Sequence, residues 1–579
     1  MLKRLLPALA VLLTAAVAPA VHAVPAAASP PGDHDVIANL FEWNWPSVAS
    51  ECTNVLGPQG YGAVQVAPPE DSLTRDGHPW WEVYQPGDYD VNSRMGTRAQ
   101  FTSMVSACHA AGVKVYADAV INHMTGQGST TYAGRSFGKY DYPGIYSSAD
   151  FHHYPGDCPQ SDGQIHDYNN FTEVTKCELV GLSDLRTESD YVRGKIADYL
   201  NDLLSIGVDG FRVDAAKHIG SPDIKAIEGK LSKSAYIYQE VMPGSPGDLA
   251  PSAFEGSGDL LEFVYGQKLK EQFNSSIANL RSFGQSWGFE PSDKAVVFVT
   301  NHDTERNGST LSYKDGSKNT LATIFSLAWG YGTPQVYSGF NWNGSDDSPP
   351  SDSSGHVSNT SCSSWQNCLD RTLGGMVGWH NAVKGTSVAN WWSDGANQIA
   401  FGRGAKGYVA INNSGSALSR TFATGLPSGT YCDVVGGGVS GGKCTGTAVT
   451  VDGSGNATFQ VNPGGAVAID VAATGQGGGS GSGSVRVTFN ENATTAFGQN
   501  VYVVGSIPAL GNWAPGSAVA LSSANYPTWS ATVALPTGTA FQYKYIKKNT
   551  DGSITWESDP NRSYTTGTGA TATINDTWR

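Results

Sequence analysis

The sequence predicts an α/β protein: a (β/α)8 barrel with a small domain inserted after its third strand, then an antiparallel β domain and a β-rich terminal module. Three observations carry this. Eight short apolar runs, rich in β-branched and aromatic residues, alternate over residues 36–340 with segments of helical character. The alternation breaks once, after His123, at a stretch rich in Gly, His and Tyr. Finally GQGGGSGSGS (475–484), which has no side chain able to build a core, sets off residues 485–579.

The strand candidates, in order, are VIANLFEWN (36–44), GAVQVAPP (62–69), VKVYADAVIN (113–122), VDGFRVDA (208–215), AYIYQEVM (235–242), DLLEFVYG (259–266), AVVFVTNHD (295–303) and TPQVYSGF (333–340). DYVRGKIADYLNDLLSIG (190–207) and GQKLKEQFNSSIANLRSFG (266–284) read as helices between them. Residues 29–388 are assigned to the barrel, with 124–182 as the insertion, since so long an irregular stretch is either functional or a small domain. Short β-type runs with Gly turns, such as GYVAINN and AVAIDVA, predict the antiparallel domain over 389–474. The linker has an r.m.s. reach of roughly 17 Å.

The amino-terminal 28 residues begin with Lys3 and Arg4, continue apolar and end in small residues, the pattern of a secretory signal peptide. No later run is long and apolar enough to span a membrane. The protein is therefore expected to be secreted and extracellular. A formal charge of −15 would repel phosphate backbones, which argues against nucleic acid as a partner. Fifteen tryptophans and twenty-five tyrosines with 15% charged residues suit sugar surfaces instead, although aromatics are also core material. Eight cysteines without a C-x-x-C pair favour disulfides in an exported protein. Spacing makes Cys362–Cys368 and Cys432–Cys444 candidate local bridges; connectivity is otherwise open.

The polar residues collect at the carboxyl ends of the barrel strands, the end that carries active sites: Asn122 and His123, Asp214, Glu240, then Asn301, His302 and Asp303. In GFRVDAAKH (210–218), alternation along a strand puts Arg212 and Asp214 on one face and Phe211 and Val213 on the other. Such a pair can be a structural ion pair or a carboxylate held ionised for attack. Glu240 has apolar neighbours in sequence and no adjacent cation, the setting that raises a carboxyl's pKa for proton donation. Each acid alone could cap the helix that follows it. Three together suit glycosidic cleavage, which uses one ionised and one protonated carboxyl.

DAVINH (118–123), GFRVDAAKH (210–218), QEV (239–241) and FVTNHD (298–303) resemble, in order and spacing, the four signature regions of the alpha-amylase family of glycoside hydrolases. GYGAVQVAPP (60–69), GTPQVYSGF (332–340) and GLSDL (181–185) match its further motifs, over about residues 35–473. The resemblance implies a TIM barrel with Asp214 as nucleophile, Glu240 as general acid/base and Asp303 as transition-state stabiliser, in endohydrolysis of alpha-1,4-glucosidic bonds with retention. The two reacting carboxyls should then stand ~5–5.5 Å apart. It implies a sugar platform from Trp80, Trp81 and Tyr84 with Gln85 nearby, and sugar contacts at His123, Arg212, Lys217, His218 and His302. It also implies a structural Ca²⁺ held by Asn122 and Asp184 side chains and by the carbonyls of Thr175 and His218, all hard oxygen donors. Lys176 stands where animal members have a further aspartate. Some relatives bind chloride through residues matching Arg212 and Asn301 plus a third, basic one; that position falls near the uncharged Asn341 in SGFNW, so chloride is not expected.

Residues 484–579 resemble the starch-binding module of glucoamylases, a β-sandwich, through VGSIPALGNW and KYIKKNTDGSITWESDPNRSY. That implies one site from Trp513, Trp556, Lys544 and Asn561 and a second from Phe497 and Tyr526; Tyr502 and Phe541, which lie inside strand patterns, read as core instead. The expected substrates are starch, glycogen and maltooligosaccharides, and the expected state is a monomer without nucleic-acid or membrane partners. A transglycosylase on the same barrel, or a non-catalytic starch-binding protein, are the alternatives. Product analysis at high acceptor concentration separates the first and the intact acid trio argues against the second.

Overall fold

The computed structural model describes residues 34–361, 365, 373–475, 484–496, 498–536, 539–549, 551–567 and 571–579. The leader, Cys362, Cys368 and Phe497 lie outside them, as does most of the linker. Eight parallel strands close into a barrel in sequential order. They are β1 (Ile37–Leu40), β2 (Ala63–Val66), β3 (Lys114–Ala119), β4 (Gly210–Val213), β5 (Tyr236–Gln239), β6 (Asp259–Glu262), β7 (Ala295–Phe298) and β8 (Thr333–Ser338). Each falls inside one of the eight sequence candidates.

The helices that follow are α1 (Trp45–Glu51), α2 (Arg98–Ala110), α3 (Asp190–Ile206), α4 (Ser221–Glu228), α5 (Phe263–Phe273), α6 (Ser317–Trp329) and α7 (Gly374–Val383). The unit after β5 has three single 3-10 turns between Gly247 and Ser257 in place of a helix. Two boundaries differ from the sequence reading. The sixth strand stops at Glu262 because that side chain accepts the Val264 N–H at 2.9 Å and caps α5. The helix read over 266–284 ends at Phe273, and a 3-10 segment, Ile277–Ser282, takes its second half.

Inside the barrel Tyr116, Tyr236 and Tyr238 pack with Ile37, Val296 and Phe298. Gly210, which opens the GFRVDAAKH stretch, is required by this packing. A Cβ there would stand 2.4 Å from the Tyr236 carbonyl and 2.9 Å from the Tyr116 ring. Phe211 and Val213 turn outward into the larger core shared with the helices.

The sheet of Val388–Ser393, Gln398–Arg403, Gly407–Asn412 and Gly465–Asp470 buries one face in the same core. Trp379 Nε1 donates to the Ile469 carbonyl at 2.9 Å, and Arg403 Nη1 to the Ala328 carbonyl at 2.8 Å. Two packed sheets built from residues 484–577 form a separate apolar core around Phe489, Trp529, Phe541 and Tyr545. Phe541 lies in that core, whereas Tyr502 is half-buried beneath Lys548, whose Nζ stands 4.1 Å from the ring centroid. Disulfides join Cys52–Cys108, Cys158–Cys177 and Cys432–Cys444. Among the described residues no helix is long and apolar enough to cross a membrane.

Candidate active site

Strand register assembles the chemistry. Asp118 of β3, Arg212 of β4 and Tyr238 of β5 are lateral partners, so they share the face that points into the barrel. The ladder continues one step past the strands: Asp214 N–H donates to Ala119 and Glu240 N–H to Val213, both at 3.0 Å. Asp214 and Glu240 thus emerge side by side, above Arg212.

Arg212 is 1% exposed and serves three acids. Its Nη1 donates to Asp118 Oδ1 at 2.8 Å and Asp214 Oδ1 at 2.7 Å, and its Nη2 lies 3.0 Å from Glu240 Oε2. The sequence reading left Glu240 without a cation; register across β4 and β5 supplies one that adjacency along the chain cannot reveal. Glu240 Oε2 also accepts the Ala215 N–H at 2.9 Å. Ala215 has φ +46°, a left-handed conformation that costs a residue with a Cβ about 1–2 kcal/mol. None of the three acids caps its helix. Asn301 caps the helix that carries Asp303, accepting the N–H groups of Asp303 and Thr304 at 3.1 and 2.9 Å.

Arg212 and Arg306 face four carboxyls, Asp118, Asp214, Glu240 and Asp303, which leaves the set short of positive charge. Burial pushes Asp303 up to about 7, with the field of Glu240 adding to it and Arg212 and Arg306 opposing. Burial likewise drives Asp214 upward, reinforced by Glu240 and Asp118 and opposed by Arg212 in direct contact. Burial and mutual repulsion therefore work against full ionisation of Asp214 and Asp303, and the direct Arg212 contact is what favours the Asp214 carboxylate. Burial disfavours the charged form of three histidines here, lowering His123 and His218 to about 4 and His302 well below the ordinary imidazole value.

Trp80–Tyr84 is a 3-10 turn beside these acids. Tyr84 donates its hydroxyl to Asp118 Oδ2 at 2.9 Å and stacks on His302 at 5.3 Å. Trp80 meets His302 edge-on at 5.5 Å and donates its indole N–H to the Ser345 carbonyl at 2.7 Å. The Arg75 guanidinium stands 5.0 Å from the ring of Trp81. Gln85 is buried and its carboxamide oxygen accepts the Gly126 N–H at 3.0 Å, which ties it to the start of the insertion. Both His123 ring nitrogens are engaged, Nε2 by the Tyr84 carbonyl at 3.0 Å and Nδ1 by Asn122 at 3.2 Å. His123 thus holds the platform turn in place. Lys217 Nζ donates to the Met242 carbonyl at 3.1 Å and Ser245 Oγ at 2.5 Å, and Ser245 reaches the Tyr168 carbonyl at 2.7 Å. The sequence reading missed Asp118 and Phe41, which stacks on His302 at 4.5 Å. Asp118 could have been found, since it opens the DAVINH motif and faces the same way as Arg212.

The expected calcium donors lie where the insertion meets the barrel. Asp184 Oδ1 is 3.4 Å from the Asn122 amide nitrogen, and His218 Nδ1 donates to the Val174 carbonyl, next to Thr175, at 3.0 Å. Asp184 is buried, which pushes its carboxyl up to about 7, and His152 Nδ1 sits 2.7 Å from its Oδ2. A buried carboxylate with an amide and backbone carbonyls at hand fits a hard cation. Among the described residues no group of three or more His, Cys, Asp or Glu side chains is placed to hold a metal ion; the expected set supplies only one such side chain, that of Asp184.

In the terminal module Trp556 and Tyr526 are 41% and 53% exposed, and Trp513 is half-buried. Lys544 Nζ bonds Asp559 Oδ1 at 2.5 Å, and Asn561 donates to Gln542 at 3.0 Å, so both belong to one sheet face. Tyr526 sits in a turn of the opposite sheet.

Comparison with known proteins follows the same divisions. Residues 60–243 match the family described as alpha amylase, catalytic domain, residues 391–472 the alpha amylase C-terminal all-beta domain, and residues 484–576 the starch binding domain. The alpha-amylase of Streptomyces violaceus is 47% identical over 587 residues, covering 100% of this chain and 99% of that protein. The alpha-amylase of Thermomonospora curvata is 44% identical over 613 residues, covering 100% and 99%. Among solved structures, wild type alpha-amylase I of Eisenia fetida matches with a TM-score of 0.72 and 39% identity, over 76% of this chain and 98% of that one.

Proposed function

The chain belongs to the alpha-amylase family, and from that premise we propose that Asp214, Glu240 and Asp303 carry out its starch hydrolysis by a retaining double displacement at alpha-1,4 bonds within the glucan. The observation that carries the assignment is Arg212, which bridges Asp214 and Glu240 at 2.7 and 3.0 Å. A single guanidinium holding both favours the close spacing of a retaining pair over the wider one that leaves room for a water. Asp214, nearest the cation, attacks the anomeric carbon while Glu240 gives its proton to the leaving oxygen. Glu240, now ionised, takes a proton from water, which attacks the glucosyl ester and releases the alpha product. Asp303 faces the positive charge that builds on the ring. Neutral His302 hydrogen-bonds sugar hydroxyls beside it, and Trp80 and Tyr84 supply ring faces for glucose.

Asn122, Asp184 and the carbonyls of Thr175 and His218 are the donors that would hold Ca²⁺, which supplies a fixed positive charge between insertion and barrel. No halide is required, because the charge of Arg212 is already spent on carboxyls and Asn341 is exposed and uncharged. The leader reads as a route to secretion, and starch-derived oligosaccharides as further substrates. The starch-binding module acts through Trp513, Trp556, Lys544 and Asn561 at one site and through Tyr526 at a second, to which the sequence resemblance also assigns Phe497. The decisive experiment is covalent trapping with a slow-turnover glycosyl donor, alongside Asp214→Asn. The adduct should map to Asp214, fresh products should be alpha, and the variant should release no reducing ends above background. An adduct on another side chain, or beta products, would overturn the assignment.

A further inference from the structure

We propose that Arg306 is a positioning residue for the transition-state side of the site, locking the turn of His302 and Asp303 against the aromatic platform. It rests on the assignment of Asp303 made above. Arg306 follows Asp303 by three residues in the short helix His302–Asn307. Its guanidinium stands 5.3, 5.2, 5.0 and 5.6 Å from the ring centroids of Phe41, Trp80, Phe340 and Trp342. Two of those rings, Phe41 and Trp80, also touch His302, at 4.5 and 5.5 Å. Nη1 closes the unit by donating to the His302 carbonyl at 2.8 Å and to Glu305 Oε1 at 3.0 Å, which in turn accepts the Tyr337 hydroxyl of β8 at 2.9 Å. One side chain therefore links the helix of Asp303, the platform and a barrel strand.

The arrangement is poor as a device for stability alone. Among the described residues Nε and Nη2 of Arg306 are buried with no hydrogen-bond acceptor and both carboxyl oxygens of Glu42 with no donor, so the two interact only through the field between them; Glu42 follows Phe41 with φ +55°. Buried donors left unpaired cost stability, and a left-handed residue with a Cβ costs more. What the guanidinium does provide is a rigid plane that packs on ring faces, plus a cation near the site; its charge opposes the upward push of burial on Asp303. A lysine keeps the charge but not the plane.

The test measures kcat and KM on maltooligosaccharides for the full chain carrying Arg306→Met, Arg306→Lys or Asp303→Asn. Active molecules are counted by covalent trapping at Asp214. Arg306→Met should lower kcat per active molecule about 10- to 100-fold, the scale of a small displacement at a reacting centre, with KM changed far less. Arg306→Lys should recover only part of kcat. Full kcat per active molecule in either Arg306 variant overturns the proposal, whatever its melting temperature, and so does a loss confined to KM. Full turnover by Asp303→Asn would instead overturn the assignment of Asp303. If Arg306→Met does not fold, Arg306→Lys alone decides on the same reading.

Discussion

Arg212 shows how much of the site was written in single residues and where that writing stops. Period-two alternation puts it on one face with Asp214, and the fold keeps them 2.7 Å apart. Its contacts to Asp118 and Glu240 come from register between β3, β4 and β5, which no local pattern encodes. The expectation of a cation reserved for Asp214 gives way to one cation shared by three acids, and this bears on halide dependence. An anion near Arg212 would compete with carboxyls already bound at 2.7–3.0 Å. The third position that would hold it, Asn341, is exposed and carries no charge. Turnover should therefore be unchanged after exhaustive exchange into a halide-free buffer, measured against the same enzyme with sodium chloride restored. A strong loss that chloride reverses would sink this reading.

At the scale of elements, all eight strands were legible because buried parallel strands make near-continuous apolar runs. Helix limits were less so. α5 begins inside a stretch that reads as strand, since Phe263 and Val264 fit either period and only the Glu262 cap decides. How the insertion docks was also invisible, since its contacts join residues far apart in the chain. Its seam contains Asp184, His152 and Glu188 in series, with Lys176 Nζ 3.0 Å from Glu188 Oε1. Lys176 thus ends a chain of charges leading to Asp184 and adds positive charge beside the proposed cation site. Replacing it by an acid removes that repulsion and adds a hard donor. Lys176→Asp should raise calcium affinity in a chelator titration followed by melting temperature, and stripping calcium should lower the wild-type melting temperature. Identical affinities for wild type and variant would count against this placement of the site.

At the scale of the molecule, composition alone separated the parts: a Gly/Ser tract between two stretches that each carry a core. What composition could not convey is which aromatics face solvent. Trp556 is exposed while Trp529 and Phe541 are buried, although all three lie in strands, and Tyr526 is exposed in a turn. Exposed rings on opposite sheets suit two separate weak contacts with a glucan surface. A flexible tether, which the Gly/Ser composition of residues 475–484 leads one to expect, would turn each such contact into a high local concentration of enzyme at a granule. In solution, where chains diffuse freely to the cleft, that gain disappears. A chain stopped before Gly475 keeps the barrel, its acids and the antiparallel domain. It should digest soluble starch at the rate of the full chain and lose most of its activity on raw granules, with a matching fall in the fraction that sediments with them. Equal losses on both substrates would mean that the module supports the catalytic fold instead of delivering it, and an unchanged rate on granules would remove its role in this enzyme.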